Sequence, residues 1–464
     1  MNSSVTARLA LILFAFISIN SIAQHVGKPS GFATVPGYGV SGVTGGAGGE
    51  AVLINGQGDA MKLRNALDQD DKPRIIYIKG TVKLPPYTDG RIIPVSKPLE
   101  DRMILVRSNK SILGVGNAKI VNSGLSIFSG SGEGNPQDTA VHNIIIQNIT
   151  FENAPDDNIN IQGGAHHVWI DHCTFTDGGG ANSGADGQVD IKRGSDFVTV
   201  SYCYFTNHYK MCLVGHSNKV KNIDSGHLRV TFDHCYWKDG GGSKTSSRHP
   251  RVRFGSVHVL NCLIQGASSD KMCEGVVSQC DAKVWIEGTY FIKCKSGGST
   301  NEHSEGDGYV KNTNNKKDDC GKEFGFGRSF SSTAVFNYSV PNKESPDAVK
   351  STLPGKAGAG KINIKVGATS ISGLKAGFTA QTIVPSLFLN KSSTQVIING
   401  VQFNRQDASV NILDFSGRTI INNRLLAGSE KAGYTLDIQD LCTGTYLLKT
   451  NHSNSSVISK FNKQ

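Results

Sequence analysis

Two carboxylates four residues apart, Asp186 and Asp190 in Asp186-Gly187-Gln188-Val189-Asp190, are the first residues whose type and spacing suggest chemistry. A third, Asp157 in Asp157-Asn158-Ile159-Asn160-Ile161, stands about 30 residues earlier. If the chain returns to the same side at that interval, the three acids meet. Clustered carboxylates do not all stay ionised without a neighbouring cation. Hard oxygen ligands at adaptable spacing suit Ca²⁺ better than a transition metal. Taken one at a time, the same residues are also ordinary polar turn positions.

Basic residues follow. Arg248-His249-Pro250-Arg251-Val252-Arg253 precedes a strand-like segment at Val257, and Lys210 lies in His208-Tyr209-Lys210. The proline is expected to keep its segment extended. Strand alternation would put Arg251 and Arg253 on one face, with Arg248 held separately by the loop. These cations would place fixed positive charge beside the acids, although a solvated basic edge has the same composition. Nine Lys or Arg against three Asp lie between Thr206 and Gly255, and the net charge is +10. A basic balance favours acidic partners. No nucleic-acid motif accompanies it, so nucleic acid is not expected and an anionic polysaccharide is. The glycine clusters at 129–134 and 178–180 precede no helix and read as turns, not phosphate loops.

What must position these groups is a repeat. Six segments share one pattern of apolar-any-apolar, a polar pair in most, a small or apolar residue and a large apolar end. They begin at Ile144, Val168, Val198, Val230, Val257 and Val284. Their final residues are Phe151, Phe175, Phe205, Trp237, Ile264 and Phe291, separated by 24, 30, 32, 27 and 27 residues. The period of two marks strands with a buried face. Recurrence of one unit without intervening helices implies a solenoid. The expected fold is all-β: a right-handed parallel β-helix whose longer coils carry functional loops. Ala60 to Leu67 reads as a short capping helix, and Ile75 to Val82 as the strand after it.

The ends differ from the repeat. Arg8, the apolar run Leu9–Ile19 and Ser21-Ile22-Ala23 read as a secretory signal peptide over 1–23. No later run is long enough to span a membrane. The repeat domain is expected over 24–356 and a Gly/Ala/Ser/Lys-rich linker over 357–386. A small β-sandwich-like module of alternating strands should occupy 387–464. Ten cysteines in an exported chain invite disulfides. Cys173, Cys203, Cys235 and Cys262, however, share one inward slot of the repeat, which favours stacked thiols in a core over bridges. No CxxC pair suggests zinc.

Val168-Trp169-Ile170-Asp171-His172, Asp186 to Lys192, Val198 to Tyr202 and Arg248 to Gly255 resemble, in order and spacing, the signature blocks of pectate lyases of polysaccharide lyase family 1. The resemblance spans roughly residues 30 to 340. It implies Ca²⁺ ligands at Asp157, Asp186 and Asp190, a catalytic arginine at Arg248, a second at Arg253 and a substrate-binding lysine at Lys210. It leaves Asp171 and His172 structural. Pectin lyases of that fold lack the calcium carboxylates, so retention of all three implies unesterified polygalacturonate, cleaved by calcium-dependent β-elimination. The C-terminal pieces Asp414 to Arg418 and Gly444 to Leu448 resemble the sorting domain of type IX secretion substrates. That implies a secreted or cell-surface protein delivered by secretion machinery, with a carbohydrate-binding module as the alternative. A monomer is expected. A glycoside hydrolase on the same architecture, with paired acids, and a non-catalytic β-helix adhesin are the rival readings.

Overall fold

The computed structural model describes residues 25–84, 103–128, 140–177, 186–240, 245–299, 306–321, 329–332, 335–340 and 343–366 of the N-terminal part. Toward the C-terminus it describes 386–389, 395–399, 409–414, 419–425, 427–429, 433–438, 441, 444–452 and 455–463. The signal-peptide segment, both glycine clusters, all of 367–385 and Phe415 to Arg418 lie outside these residues. The chain divides into two units, Met1–Ser370 and Ile371–Gln464.

In the first unit every strand pairs in parallel with the equivalent strand one coil away. One ladder runs through His142–Gln147, His166–Asp171, Asp196–Ser201, Arg229–Asp233, Ser256–Leu260 and Lys283–Glu287. A second runs through Thr150–Glu152, Thr174–Thr176, Tyr204–Thr206, Tyr236–Lys238, Leu263–Gln265 and Tyr290–Ile292. A third, eight strands long, includes Ile159–Gln162, Val189–Ile191, Cys212–Val214, Arg251–Arg253 and Cys273–Gln279. This is the parallel β-helix that the repeat implies. The helix Ala60–Asp68 buries Leu63 and Leu67 in the core, and the strand Arg74–Val82 follows it. A strand at Glu50–Asn55 comes before that helix and pairs with Arg74–Val82; no periodicity had marked it.

The repeat's final slot becomes a column. Phe151, Phe175, Phe205, Trp237, Ile264 and Phe291 are all fully buried. Successive rings of the first four lie 4.9–5.4 Å apart at 10–12°. That separation is one rung: strands about 4.8 Å apart force like side chains to stack. Cys173, Cys203, Cys235 and Cys262 fill the neighbouring slot, fully buried. None of the nine described cysteines is in a disulfide.

Between the first two ladders the chain turns at Asn148, His172, Tyr202, His234 and Asn261, all with φ between 45° and 62°. Left-handed backbone comes readily to asparagine but is costly for a ring-bearing side chain such as Tyr202. Stacking offsets part of it, since the His172, Tyr202 and His234 rings lie 4.8 and 4.6 Å apart. Asp171 is tied into the same corner, accepting from His172 Nδ1 (2.6 Å), Ser201 Oγ (2.6 Å) and Gln147 Nε2 (2.7 Å). Residues 357–366 run along the β-helix. Gly358 N–H donates to Tyr202 O, Gly360 N–H to Asn148 Oδ1, and Ile364 is buried against Trp169 and Ile145.

Among its described residues, the second unit forms two four-stranded antiparallel sheets. Gly444–His452 pairs with Ser455–Lys463 and with Ser409–Asp414 in one of them. Gln395–Asn399 pairs with Gly433–Asp437 in the other. Among the described residues no helix is long and apolar enough to cross a membrane.

The aromatic column predicts a large cavity cost. Phe205→Ala is expected to lower unfolding free energy by about 3–5 kcal/mol, measured by urea titration. A loss under about 1 kcal/mol would mean that the column can collapse around the gap.

Candidate active site

The third ladder gathers the acids. Asp190 lies within Val189–Ile191 and pairs with Asn160, so Asp157, three residues before Asn160, comes to the same edge one coil below. Asp157 is fully buried; it accepts from Gly187 N–H at 2.8 Å and from Lys192 Nζ at 3.0 Å. Asp156, Asp157 and Asp186 each offer an oxygen, and the three oxygens lie within 4.8 Å of one another. Gly187 fits between the acids, where a Cβ would fall 2.2 Å from Asp190 Oδ1 and 3.1 Å from Asp157 Oδ1.

The cations border this cluster. Lys210, in an isolated parallel bridge to Ser247 on the next coil, places Nζ 2.6 Å from Asp186 Oδ1. Arg248 stands over the acids with Nη1 3.7 Å from Asp186 Oδ1 and 3.9 Å from Asp190 Oδ2. That Nη1 is buried without a hydrogen-bond partner. The segment around it is not extended as the proline suggested. Arg248 has φ of 67°, the His249–Pro250 peptide is cis, and only Arg251–Arg253 is strand. Glu274 holds the turn, accepting from Arg248 N–H at 2.8 Å and from the Arg251 guanidinium. Arg253 is buried and donates from Nη1 to Gly215 O at 3.1 Å. The structure therefore brings Asp157, Asp186, Asp190, Lys210 and Arg248 together and directs this donor of Arg253 to the backbone beside them.

Electrostatics follow from this packing. Burial pushes the Asp190 carboxyl well above its ordinary value, and the Asp157 charge adds to the shift. Its Oδ1 has no hydrogen-bond partner. Burial also raises Asp186, but the hydrogen bond from Lys210 and the Arg248 charge outweigh it and hold that carboxyl low. Burial works against charge on Lys192 too, yet Asp157 and Asp190 raise it above its ordinary value. A partnerless buried carboxylate oxygen is costly, and a hard divalent cation among several carboxylate oxygens would satisfy it. The donor set fits Ca²⁺.

Three residues of the cluster escaped the sequence reading: Asp156, Lys192 and Glu274. Strand alternation could have found Lys192, two residues from Asp190 and so on the same face. Asp156 was visible as the neighbour of Asp157. Glu274 lies on a different coil from Arg248, and no spacing signalled it.

The fold and this edge define a parallel β-helix with an acidic cluster bordered by cations, and the family follows from sequence. The pectate lyase family model matches residues 1–362, and the chain belongs to that family. The model of a secretion system C-terminal sorting domain matches residues 392–464, marking the protein as secreted or cell-surface. The chain is 34% identical over 268 residues to the pectate trisaccharide-lyase of Thermotoga maritima, covering 56% of this chain and 63% of that protein. It is 33% identical over 266 residues to pectate lyase A of Dickeya chrysanthemi, covering 52% and 63%. The matches thus span a little under two thirds of those two relatives. Among solved structures, a pectate lyase from Bacillus sp. N165 in complex with trigalacturonate is 26% identical with a TM-score of 0.51, over 72% of this chain and 100% of that one. A Bacillus subtilis pectate lyase variant, 24% identical with a TM-score of 0.54 over 74% and 99%, shares the fold.

Gly187→Ala is expected to force Asp190 and Asp157 apart, costing about 1–3 kcal/mol as overpacking. It should also abolish any Tm rise on adding Ca²⁺, read by differential scanning fluorimetry. An unchanged calcium-induced rise would detach these two acids from the cation site.

Proposed function

We propose that this protein cleaves polygalacturonate by calcium-dependent β-elimination, leaving 4,5-unsaturated oligogalacturonides. The observation that carries the reading is the partnerless Arg248 Nη1 held 3.7–3.9 Å from two of four gathered carboxylates, in a chain of the pectate lyase family. Asp157, Asp186 and Asp190, joined by Asp156, would hold the cation. Once bound, Ca²⁺ would offset the carboxylate charge and make a substrate uronate's C5 proton more acidic by drawing on its carboxylate.

The chain's own residues do the rest. Elimination breaks the C5–H bond, forms the C4–C5 double bond and expels the C4 oxygen. Arg248 is the proposed base that takes the C5 proton. Arginine is a demanding choice, being effectively always charged, and Lys210 is the chemically easier alternative. Lys210 and Arg253 are assigned to binding and neutralising the sugar acids, which favours the charge developing at the reacting carbon. Glu274 fixes the Arg248 backbone through the N–H it accepts. The domain assignment that goes with this reading is a catalytic β-helix over 24–356 and a sorting module over 387–464 that engages secretion machinery.

The test is ultraviolet absorbance of polygalacturonate incubated with the protein, with calcium and with chelator. Absorbance should rise with calcium and stop with chelator; reducing ends without absorbance would mean hydrolysis and overturn the reading. Arg248→Lys should lower kcat by roughly 10²–10⁴-fold, as expected for a lost general base. If it stays near wild type while Lys210→Ala is inactive, the two roles exchange.

A further inference from the structure

Three cysteines lie together near the end of the β-helix, away from the Cys173–Cys262 column. Cys273 and Cys294 are register partners on adjacent parallel strands, Cys273–Gln279 and Cys294–Ser299. Both are fully buried, and their sulfurs are 3.1 Å apart. Adjacent strands put Cα atoms about 4.8 Å apart, inside the range of roughly 4.4–6.8 Å that a disulfide spans. Cys294 N–H donates to the sulfur of Cys320 at 3.3 Å, and Cys320 is only half-buried.

The column offers an internal contrast. Cys235 and Cys262 are also neighbours, and there, as at Cys294 with Ile292 O (3.3 Å), each thiol donates to a backbone carbonyl, Cys235 to Val200 O at 3.3 Å and Cys262 to Leu260 O at 3.1 Å. All four of its members are fully buried, with no half-exposed thiol beside them in the slot. Burial pushes the Cys203 and Cys235 thiols up, and Cys294 likewise, so a thiol close by, and not burial, must decide which sulfurs react. Neighbouring thiols interact in the column too; the trio differs in a sulfur–sulfur distance of 3.1 Å and a half-exposed member.

We propose that in the exported protein Cys273 and Cys294 are oxidised to a disulfide that joins two consecutive coils, with Cys320 as the thiol through which oxidation enters. A secretion sorting domain sends the chain to conditions where disulfides persist. The oxidant is a small-molecule or protein disulfide, RSSR. Cys320 as thiolate attacks it, forming a mixed disulfide and releasing one RSH. Cys294 then attacks the Cys320 sulfur and releases the second RSH. Cys273 attacks Cys294, and Cys320 departs as a thiol. In sum, two protein thiols and RSSR give one protein disulfide and two RSH. Cys320 suits both entry and departure: hydrogen bonding from the Cys294 thiol, joined by its backbone N–H, brings the Cys320 thiol down to about 7, and a low thiol pKa helps a sulfur leave. Cys273 directly precedes Glu274, the acceptor for Arg248, so the bridge would also anchor that carboxylate's strand.

The test exposes the folded full chain to oxidised glutathione or to dithiothreitol, then maps cysteines by non-reducing peptide mass spectrometry. The expected product is a Cys273–Cys294 cross-link with Cys320 still alkylatable, and a Tm above that of the dithiothreitol-treated protein. Cys320→Ser should form the same cross-link at least tenfold more slowly. Cys273→Ser should stop at a Cys294–Cys320 bridge. Thiols that stay free under oxidant, a Cys294–Cys320 bridge as the wild-type end product, or an unchanged rate in Cys320→Ser would overturn the proposal.

Discussion

The structure depends on one constraint, the in-register parallel pairing of coils. With strands about 4.8 Å apart, any two residues in equivalent positions of consecutive coils become neighbours, whatever their separation in sequence. The pairing Ile159↔Val189↔Cys212 fixes the height at which each coil of the third ladder delivers its side chains. The same register stacks Phe175 on Phe205 inside the helix and sets Asp190 one coil above Asn160 at its edge. Core and site are two faces of one alignment.

That alignment creates an electrostatic cost at the site. Bringing Asp157 beside Asp190 buries two acids together, and an oxygen of Asp190 is left without a hydrogen-bond partner. Lys192, Lys210 and Arg248 answer part of the charge, but buried charge compensated from one side is rarely a net gain in stability. The aromatic column and the long apolar ladders supply the stability that tolerates such a cluster. Of the acids, Asp190 sits on the strand Val189–Ile191 and Asp157 two residues before Ile159–Gln162, while Asp186 lies in the connection that leads into the former.

Much of this was legible in sequence because the repeat is written in side-chain type. The final apolar slot, the cysteine slot and the coil length of about 30 residues were enough to expect the β-helix and to bring Asp157 toward Asp186 and Asp190. What escaped were features set by backbone conformation or by distant coils. The left-handed turns at His172 and Tyr202 carry no compositional mark, because histidine and tyrosine are not turn residues. The turn at Arg248 is held by Glu274, 26 residues on, and a proline rule describing its neighbours alone could not show it. Residues 357–366 looked like linker composition, yet Ile364 packs on Trp169; a small-residue segment fits closely along the coils for the same reason that it resembles a linker.

Calorimetric titration of Ca²⁺ into the full chain, repeated on Asp157→Asn and Asp190→Asn, tests most directly whether the coil register builds one cation site from acids some 30 residues apart. One binding site in the wild type, lost in each variant alone, is the expected result. Binding that survives intact in either variant, or no binding in the wild type, would contradict it.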